Sequence, residues 1–327
     1  MDAWLDDGTD RDAPIVASLA DVTYRPVFII GPHRSGTTIL AQVLLATGCF
    51  NGVTTYHILN QHRLLHLRAT GQEAQARREI DDYFRAHGIE DRVYDRMATT
   101  AEMPEEYCFA LRPQQRHPLL TSANLTSFDT FCRKVQALGD ADRPLLLKSP
   151  FDTTNFLFLA RSFPDAKFVF IHRHPAEIIS SQLYTIRSIL AGENRYLSLV
   201  WTRYRTLYRN RWKVAAGRWL YSDRFPLLFE LVRRGVARNC DYITAHIDAV
   251  RTRACSLTYA ELCESPDATV DRVLRALSLQ RRVRVDLAQA IHPRPSRLEP
   301  RVAQELPRIE SRSAEYTRRF NIPRLAS

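Results

Sequence analysis

The segment from Arg25 to Leu45, RPVFIIGPHRSGTTILAQVLL, reads as a buried strand, a glycine-bounded loop and the start of a helix. A helix N-terminus that follows a tight loop offers unpaired N–H groups and a positive dipole end, which together attract anions. Gly31 and Gly36 fit the G-x-x-x-x-G-K-[ST] phosphate loop, but Thr37 stands where lysine is expected. The loop therefore predicts an anion site without the usual lysine, with donors from Arg34, Ser35, Gly36, Thr37 and Thr38.

Basic or aromatic side chains stand at or near the ends of three other apolar segments. Lys148 ends PLLLKS, Arg173 ends KFVFIHR and Tyr259 lies in ACSLTYAEL. Ligands of parallel α/β sheets bind outside the carboxyl ends of the strands, so we expect these three residues to meet the loop in one cleft. None of these segments ends in the carboxylate that would hold Mg²⁺ beside a triphosphate. The pattern favours an anion that arrives without magnesium.

Strand and helix patterns alternate along the chain, which predicts an α/β fold: a P-loop-type parallel sheet flanked by helices. The predicted strands are Pro26–Ile30, Pro144–Ser149, Lys167–Arg173 and Ala254–Leu262, and the first helix is Ser35–Ala46. We expect a loosely ordered arm over 1–24 and a single domain over 25–327. Within it, helical insertions at about 50–142 and a helical region at about 190–250 would form the acceptor side.

The formal net charge of +10 comes almost entirely from arginine, because the only lysines are Lys134, Lys148, Lys167 and Lys213. Such a balance suits a polyanionic small ligand, nucleic acid or an acidic membrane surface alike. The six cysteines form no CxxC pair, and no histidine lies at metal-ligand spacing, which predicts reduced thiols and no metal. The polar N-terminus and the lack of an apolar run of ~18 residues predict a soluble cytoplasmic protein.

Four motifs, taken in this order, resemble the sulfotransferases that use 3′-phosphoadenosine 5′-phosphosulfate (PAPS), in particular bacterial relatives of the tyrosylprotein sulfotransferases. The first is PHRSGTT, and the second is Arg173 followed eight residues later by Ser181 in HRHPAEIISS. The third is LLLKSPFDTTNFLFLARSFPDAKFVFIHR, and the fourth is LTYAELCESPDATVDRVLRALSL. They cover roughly 25–60 and 144–280, and a weaker match lies at the C-terminus.

The resemblance implies PAPS as cosubstrate, no metal, and a hydroxyl acceptor on a small molecule, glycan or lipid. It places the phosphosulfate on the loop, the 3′-phosphate on Arg173 and Ser181, and the adenosine near Tyr259. Ser180 is the alternative to Ser181, and the spacing from Arg173 favours Ser181. Lys148, assisted by Arg34, would stabilise charge on the departing nucleotide phosphate.

The general base is where the sequence departs from that family pattern. Tyrosylprotein sulfotransferases carry a glutamate sixteen or seventeen positions after the last threonine of the loop, where this chain has Thr54 and Thr55. The nearest titratable group is His57, which suits proton transfer near neutral pH but could equally be a helix or core residue. The alternative bases lie in AEMPEEYCFAL: Glu102, Glu105 and Glu106.

The segment LVWTRYRTLYRNRWKVAAGRWL interleaves aromatic residues with arginines. Trp201, Tyr204, Tyr208 and Trp212 are spaced as one packed helix stripe. The same composition also occurs in single-strand nucleic-acid binders and in basic interfacial helices that could meet a lipid acceptor.

Sulfuryl transfer with no nucleic-acid partner is therefore the leading prediction. The alternatives are a Mg²⁺-dependent P-loop small-molecule kinase and a non-catalytic binder of nucleic acid or acidic membrane. The sequence leaves open the role of the C-terminal loop around Ser296 and Arg297, the peripheral membrane contact and the oligomeric state.

Overall fold

The structure is a computed structural model that describes residues 9–93, 97–111, 118–222, 227–291 and 298–325. The loop around Ser296 and Arg297 lies outside the described residues, so its role stays a question of sequence alone.

Five parallel strands form one sheet in the order β2-β3-β1-β4-β5. They are β1 Pro26–Ile30, β2 Asn51–Gly52, β3 Leu145–Lys148, β4 Lys167–His172 and β5 Ala254–Thr258. β1 is central, and its Phe28 lies opposite Leu147 of β3 and Phe168 of β4. The predicted parallel α/β fold is confirmed, and the two-residue edge strand β2 is an addition that its length hid from sequence analysis.

Helices cover both faces of the sheet, which is why the central strands are mainly apolar, with Lys148, Lys167 and His172 at strand ends. Phe28 and Ile30 point into one core with the insertion helices, whereas Val27 and Ile29 point into a second core with α1 and α13. The α-helices are α1 Thr37–Ala46, α2 Thr55–Leu59, α3 Leu64–Ala69, α4 Glu73–Ala86, α5 Leu125–Leu138, α6 Phe156–Ser162, α7 Pro175–Ala191, α8 Arg195–Val200, α9 Thr202–Arg209, α10 Arg211–Leu220, α11 Leu227–His246, α12 Tyr259–Glu264, α13 Pro266–Ala276, α14 Leu287–Ala290, α15 Pro300–Gln304 and α16 Leu306–Arg319.

Two element boundaries differ from the predicted ones in ways that matter for the site. α1 begins at Thr37 instead of Ser35, because Gly36 stands outside the helix with a left-handed backbone. β5 ends at Thr258 instead of Leu262, because Thr258 and Glu261 form a capping box that turns the chain into α12. Tyr259 is therefore the first residue of a helix, directly after the strand.

The described part of the N-terminal arm, residues 9–24, contacts the domain at two buried residues. Asp12 is fully buried, and its carboxylate lies 2.8 Å from the Lys134 ammonium and accepts a hydrogen bond from the His66 N–H. A short 3-10 helix over Ala13–Leu19 follows and buries Leu19. A buried ion pair between distant segments of this kind has no signature in composition.

The predicted aromatic stripe is also broken. Asn210 ends α9, and its side chain caps α10 by accepting from the Lys213 N–H. Tyr204 and Tyr208 pack inward and donate their hydroxyls to the Ile189 carbonyl. Trp212, beyond the break, points outward instead and is 86% exposed.

Three further observations concern the described ranges only. No pair among the six cysteines, all of which are described, forms a disulfide. The histidine, cysteine and carboxylate side chains in these ranges include no group of three or more that could hold a metal ion. Within the same ranges, every helix is too short or too polar to cross a bilayer.

Candidate active site

The loop between β1 and α1 depends on two glycines and a strained arginine. Arg34 has φ of 72° and Gly36 has φ of 106°, both in the left-handed region. A Cβ at Gly36 would lie 2.6 Å from the Tyr259 ring, and one at Gly31 would lie 2.6 Å from the Ser35 hydroxyl. Side chains therefore pack closely around the loop that precedes α1.

Lys148 ends β3, the strand beside β1, and its ammonium reaches the first turn of α1. Nζ donates to the Thr38 hydroxyl at 3.0 Å and to Glu106 Oε1 at 3.2 Å. The Lys148 side chain is buried, so both contacts are made largely out of water. The structure therefore brings a lysine from another strand to the loop that lacks its own.

Glu106 brings the insertion to this site. Burial opposes ionisation of its carboxyl group, but the positive charges of Lys148, His33 and Arg92 outweigh burial and lower its pKa to about 2. The segment is fixed in place because the preceding residue, Glu105, donates its N–H to the Val53 carbonyl at 2.9 Å. Glu106 is thus a largely buried carboxylate, with 14% of its side chain exposed, that stays ionised at neutral pH.

The two neighbouring glutamates contact other partners. Glu105 is buried against Arg92 in an ion pair, and burial raises its pKa. Glu102 is 61% exposed and pairs with Arg77 on α4. Of the three candidate bases in this segment, Glu106 is the one in contact with Lys148.

His57 serves as the third residue of a capping box at the start of α2. Its Nδ1 accepts the Thr54 backbone N–H at 3.1 Å, and the Thr54 hydroxyl lies 2.9 Å away. Burial, with the nearby Arg77 charge, lowers the pKa of His57 to about 3, so the ring is neutral at pH 7. Because Nδ1 accepts, the proton of the neutral ring sits on Nε2. The contacts of His57 favour the helix-residue interpretation over the base.

Arg173, Ser181 and Tyr259 meet on the other side of the loop. Arg173 lies 4.3 Å above the Tyr259 ring, donates to the Arg34 carbonyl at 3.3 Å and pairs with Glu177 at 3.2 Å. Its Nε is buried and has no hydrogen-bond partner among the described residues. Arg34 Nε donates to the Ser181 hydroxyl at 3.0 Å, so the loop arginine joins this group.

The structure separates the two adjacent serines of α7. Ser181 faces the loop, whereas Ser180 accepts the Glu299 N–H at 3.0 Å and so faces the C-terminal segment. Gln182, which the sequence did not single out, donates to the His33 carbonyl at 2.9 Å. α7 therefore holds the loop through two consecutive side chains.

The motif SPFDTT after β3 supports the loop from below. Thr153 donates to the Gly31 carbonyl at 2.7 Å, and the Phe151 ring lies edge-on to His33 at 4.4 Å between centroids. Asp152 is fully buried and accepts bonds from Tyr107, Leu120 and Asn155. Burial raises the pKa of Asp152 to about 6 despite these three donors. In the longer segment LLLKSPFDTT, the sequence predicted a role for Lys148 alone, so the contacts of Phe151 and Thr153 with the loop were missed.

The donor set fits an anionic ligand with two charged ends. Because β1 lies between β3 and β4, Lys148 and Arg173 flank the loop from opposite sides. One end of the ligand would meet α1 and Lys148, and the other would meet Arg173 with its unpartnered buried Nε. Ser35 differs from them: its hydroxyl is buried close to Gly31 and has no hydrogen-bond partner among the described residues.

Comparison with known proteins adds a family and a fold. The sequence model described as Sulfotransferase family matches residues 26–222, more than half of the chain. Sulfotransferase STF9 from Mycobacterium avium has a similar structure, with a TM-score of 0.61 and 17% identity over 96% of this chain and 80% of that one. Sulfotransferase STF1 from Mycobacterium tuberculosis H37Rv gives a TM-score of 0.56 and 17% identity over 94% and 80%. No curated protein matches the sequence.

Proposed function

The chain belongs to the sulfotransferase family, and we propose that it takes the sulfuryl group from PAPS and passes it to the hydroxyl of a small-molecule, glycan or lipid acceptor. Family membership makes the chain an enzyme of sulfuryl transfer. Family membership therefore excludes a small-molecule kinase and a non-catalytic binder.

One observation carries the proposal: the ammonium of Lys148 lies at the anion loop, 3.0 Å from the Thr38 hydroxyl. A phosphosulfate has less charge than a triphosphate and needs no metal, so backbone N–H groups, Thr37, Thr38 and one lysine suffice. Lys148 would stabilise the charge that builds on the bridging oxygen as the sulfur–oxygen bond breaks.

The second anionic end of PAPS, its 3′-phosphate, suits Arg173 and Ser181. Arg173 has a buried, unpartnered Nε, and an arginine can bind a phosphate in two places. Tyr259, stacked on Arg173, offers an aromatic face for the adenosine. Arg34 belongs to the loop and donates a hydrogen bond to the Ser181 hydroxyl. We propose that this arginine links the site of the phosphosulfate to the site of the 3′-phosphate.

Glu106 is the base that we propose. In the transfer, the acceptor oxygen bonds to sulfur, the bond from sulfur to the leaving phosphate oxygen breaks, and Glu106 takes the acceptor proton. A carboxylate with a pKa of about 2 is a weak base. When Lys148 turns its charge toward the leaving phosphate, Glu106 loses its main stabilising partner and its pKa rises. One lysine thereby serves both the leaving group and the base.

The test compares ligands in a thermal-shift experiment. 3′-Phosphoadenosine 5′-phosphate should raise the melting temperature without added metal, because it carries the 3′-phosphate that Arg173 is proposed to bind. ADP with Mg²⁺ lacks that phosphate and should give a much smaller shift. A larger shift with ADP and Mg²⁺ would contradict the PAPS assignment. Transfer of labelled sulfate from PAPS to a panel of hydroxyl compounds would then identify the acceptor.

A further inference from the structure

Two tryptophans project from one face of α10. Trp212 is 86% exposed and Trp219 is 63% exposed. They are seven residues apart, which is about two helical turns, so both lie on the same side of the helix. Large apolar side chains exposed together on a helix mark an interaction surface more often than chance exposure does.

The opposite face of α10 fixes this orientation. Val214 is buried, and Arg218 donates to the carbonyls of Leu190 and Ala191 at 2.6 and 2.9 Å, which caps the last turn of α7. A Cβ at Gly217 would lie 3.6 Å from the Leu190 side chain, so the two helices are in close contact. Packing of α10 against the C-terminal end of α7 therefore keeps both tryptophans on the outer side of α10.

The segment that carries the tryptophans has basic side chains and no acidic ones. We call Thr202–Leu220 the α9–α10 surface; it contains no aspartate or glutamate and six basic residues, namely Arg203, Arg205, Arg209, Arg211, Lys213 and Arg218. Arg209, Arg211 and Lys213 are exposed beside Trp212. A partner for this surface must be anionic and must also accept indole rings.

We propose that the α9–α10 surface binds the anionic face of a lipid bilayer. Tryptophan prefers the boundary between headgroups and acyl chains, and basic residues are attracted to an anionic membrane surface. A single-stranded nucleic acid fits less well, because it needs a groove that tracks its backbone. Here the indoles stand on the outer side of a helix.

The surface also lies close to the proposed cleft. α10 contacts the C-terminal end of α7, and Ser181 lies ten residues before Ala191 on the same helix, about 15 Å along its axis. Membrane binding would place that cleft near the bilayer. The proposal does not depend on PAPS or on the acceptor, so its failure would leave the proposed function intact.

The experiment is sedimentation of the full chain with vesicles of phosphatidylcholine alone or with phosphatidylglycerol added. Binding should require phosphatidylglycerol and weaken as salt rises, because exposed charges are screened. Trp212→Ser with Trp219→Ser should weaken binding at least about tenfold, and so should Arg211→Glu with Lys213→Glu. Arg251→Glu with Arg275→Glu changes net charge equally on segments that contact β5, and should bind as the unaltered chain does.

Several results would overturn the proposal. These are equal binding to both vesicle types, unchanged binding by the tryptophan double variant, and binding to a single-stranded oligonucleotide without binding to vesicles. The melting temperature of each variant without ligand, compared with that of the unaltered chain, checks that it is folded. A measurement on the unaltered chain is independent of variant folding: phosphatidylglycerol with brominated acyl chains should quench tryptophan fluorescence, and an absence of quenching also contradicts membrane insertion.

Discussion

Lys148 Nζ and Glu106 Oε1 lie 3.2 Å apart in an ion pair that joins the third strand to the insertion, 42 residues away in sequence. The pair places the proposed leaving-group cation beside the proposed base. The Lys148 charge holds the pKa of Glu106 below its usual range, so the two residues should be tested together.

Lys148→Ala should lower turnover by roughly 10²–10³, the scale for loss of one charge-stabilising donor. It should also raise the pKa of Glu106, because burial would then be opposed by fewer charges. The variant should therefore lose activity at acidic pH, where the unaltered enzyme keeps Glu106 ionised. Steady-state rates across pH measure both effects.

Lys167→Ala is the control for that variant. Lys167 opens β4, and its ammonium donates to the Leu277 carbonyl, at the end of the strand away from the loop. This second lysine-to-alanine change should leave turnover near that of the unaltered enzyme. Full turnover by Lys148→Ala would remove Lys148 from the mechanism.

Glu106→Gln should reduce transfer by about 10²–10⁴, the usual range for a general base, while binding of 3′-phosphoadenosine 5′-phosphate persists. Calorimetry and single-turnover rates separate the two quantities. Glu102→Gln, four residues earlier and exposed, should behave as the unaltered enzyme.

Glu105→Gln is a second comparison, and it should lower the stability of the fold instead of removing the base. It replaces the carboxylate of the buried Arg92–Glu105 ion pair with a neutral amide, so it should destabilise the fold by about 3–5 kcal/mol. A glutamine at 106 that keeps normal single-turnover rates would exclude Glu106 as the base.

His57→Gln should keep activity, because glutamine also serves as the third residue of a capping box. It should change acid stability. A histidine whose pKa falls from 6.5 to about 3 on folding stabilises the protein fully above pH 6.5, and this stabilisation is lost as pH falls toward 3. Chemical unfolding between pH 7 and 4, where those values apply, should show a shallower loss in the variant.

His172 also contributes to this pH dependence, since burial lowers its pKa to about 3 as well. His57→Ala removes the cap as well as the titration, so it should cost about 1 kcal/mol more than His57→Gln at neutral pH. A hundredfold loss of transfer in a stable His57→Gln enzyme would restore His57 as the base.

Arg173→Ala should weaken binding of 3′-phosphoadenosine 5′-phosphate by about 2–5 kcal/mol, as expected for loss of a buried charge partner. Ser181→Ala should weaken it by less, and Ser180→Ala should have no effect, because Ser180 faces Glu299. Calorimetric titration of the three variants ranks the residues. Equal losses at both serines would indicate a helix defect instead of a lost contact.

Gly36→Ala should damage the anion site more than its conformational cost alone predicts. Its Cβ would lie 2.6 Å from the Tyr259 ring, in addition to the strain at φ of 106°. Gly88→Ala is the matched control, since Gly88 has φ of 60° but no atom within 4 Å of an added Cβ. Nucleotide binding should weaken in the first variant only, and melting temperatures should fall in both.

The sheet was predictable because its central strands contain short apolar runs, which end before Gly31 in β1, at Lys148 in β3 and at His172 in β4. β2 was not, since two residues carry no periodicity, and its pairing with β3 arises from tertiary packing. The same reasoning covers Lys148 and Arg173: residues at strand ends in a parallel sheet must converge at one edge.

The base was harder to predict, because its identity depends on how an insertion folds back. Glu102, Glu105 and Glu106 are equivalent in sequence, and burial together with the positions of Arg77, Arg92 and Lys148 separates them. His57 was ambiguous for a related reason. A histidine at the third position of a helix can cap that helix or act as a base, and the partner of its Nδ1 distinguishes the two roles. Such partners are properties of the fold.

Asp152 has a consequence for engineering. Its carboxylate binds Tyr107 and Leu120 of the insertion and Asn155 beside β3, while the adjacent Thr153 holds the Gly31 carbonyl. A chimera that exchanges residues 50–142 for those of another sulfotransferase must therefore carry a matching hydroxyl and a matching N–H to this carboxylate. A chimera that lacks these two groups would also displace the loop between β1 and α1. It would then lose the proposed PAPS site at the same time as its acceptor preference changed.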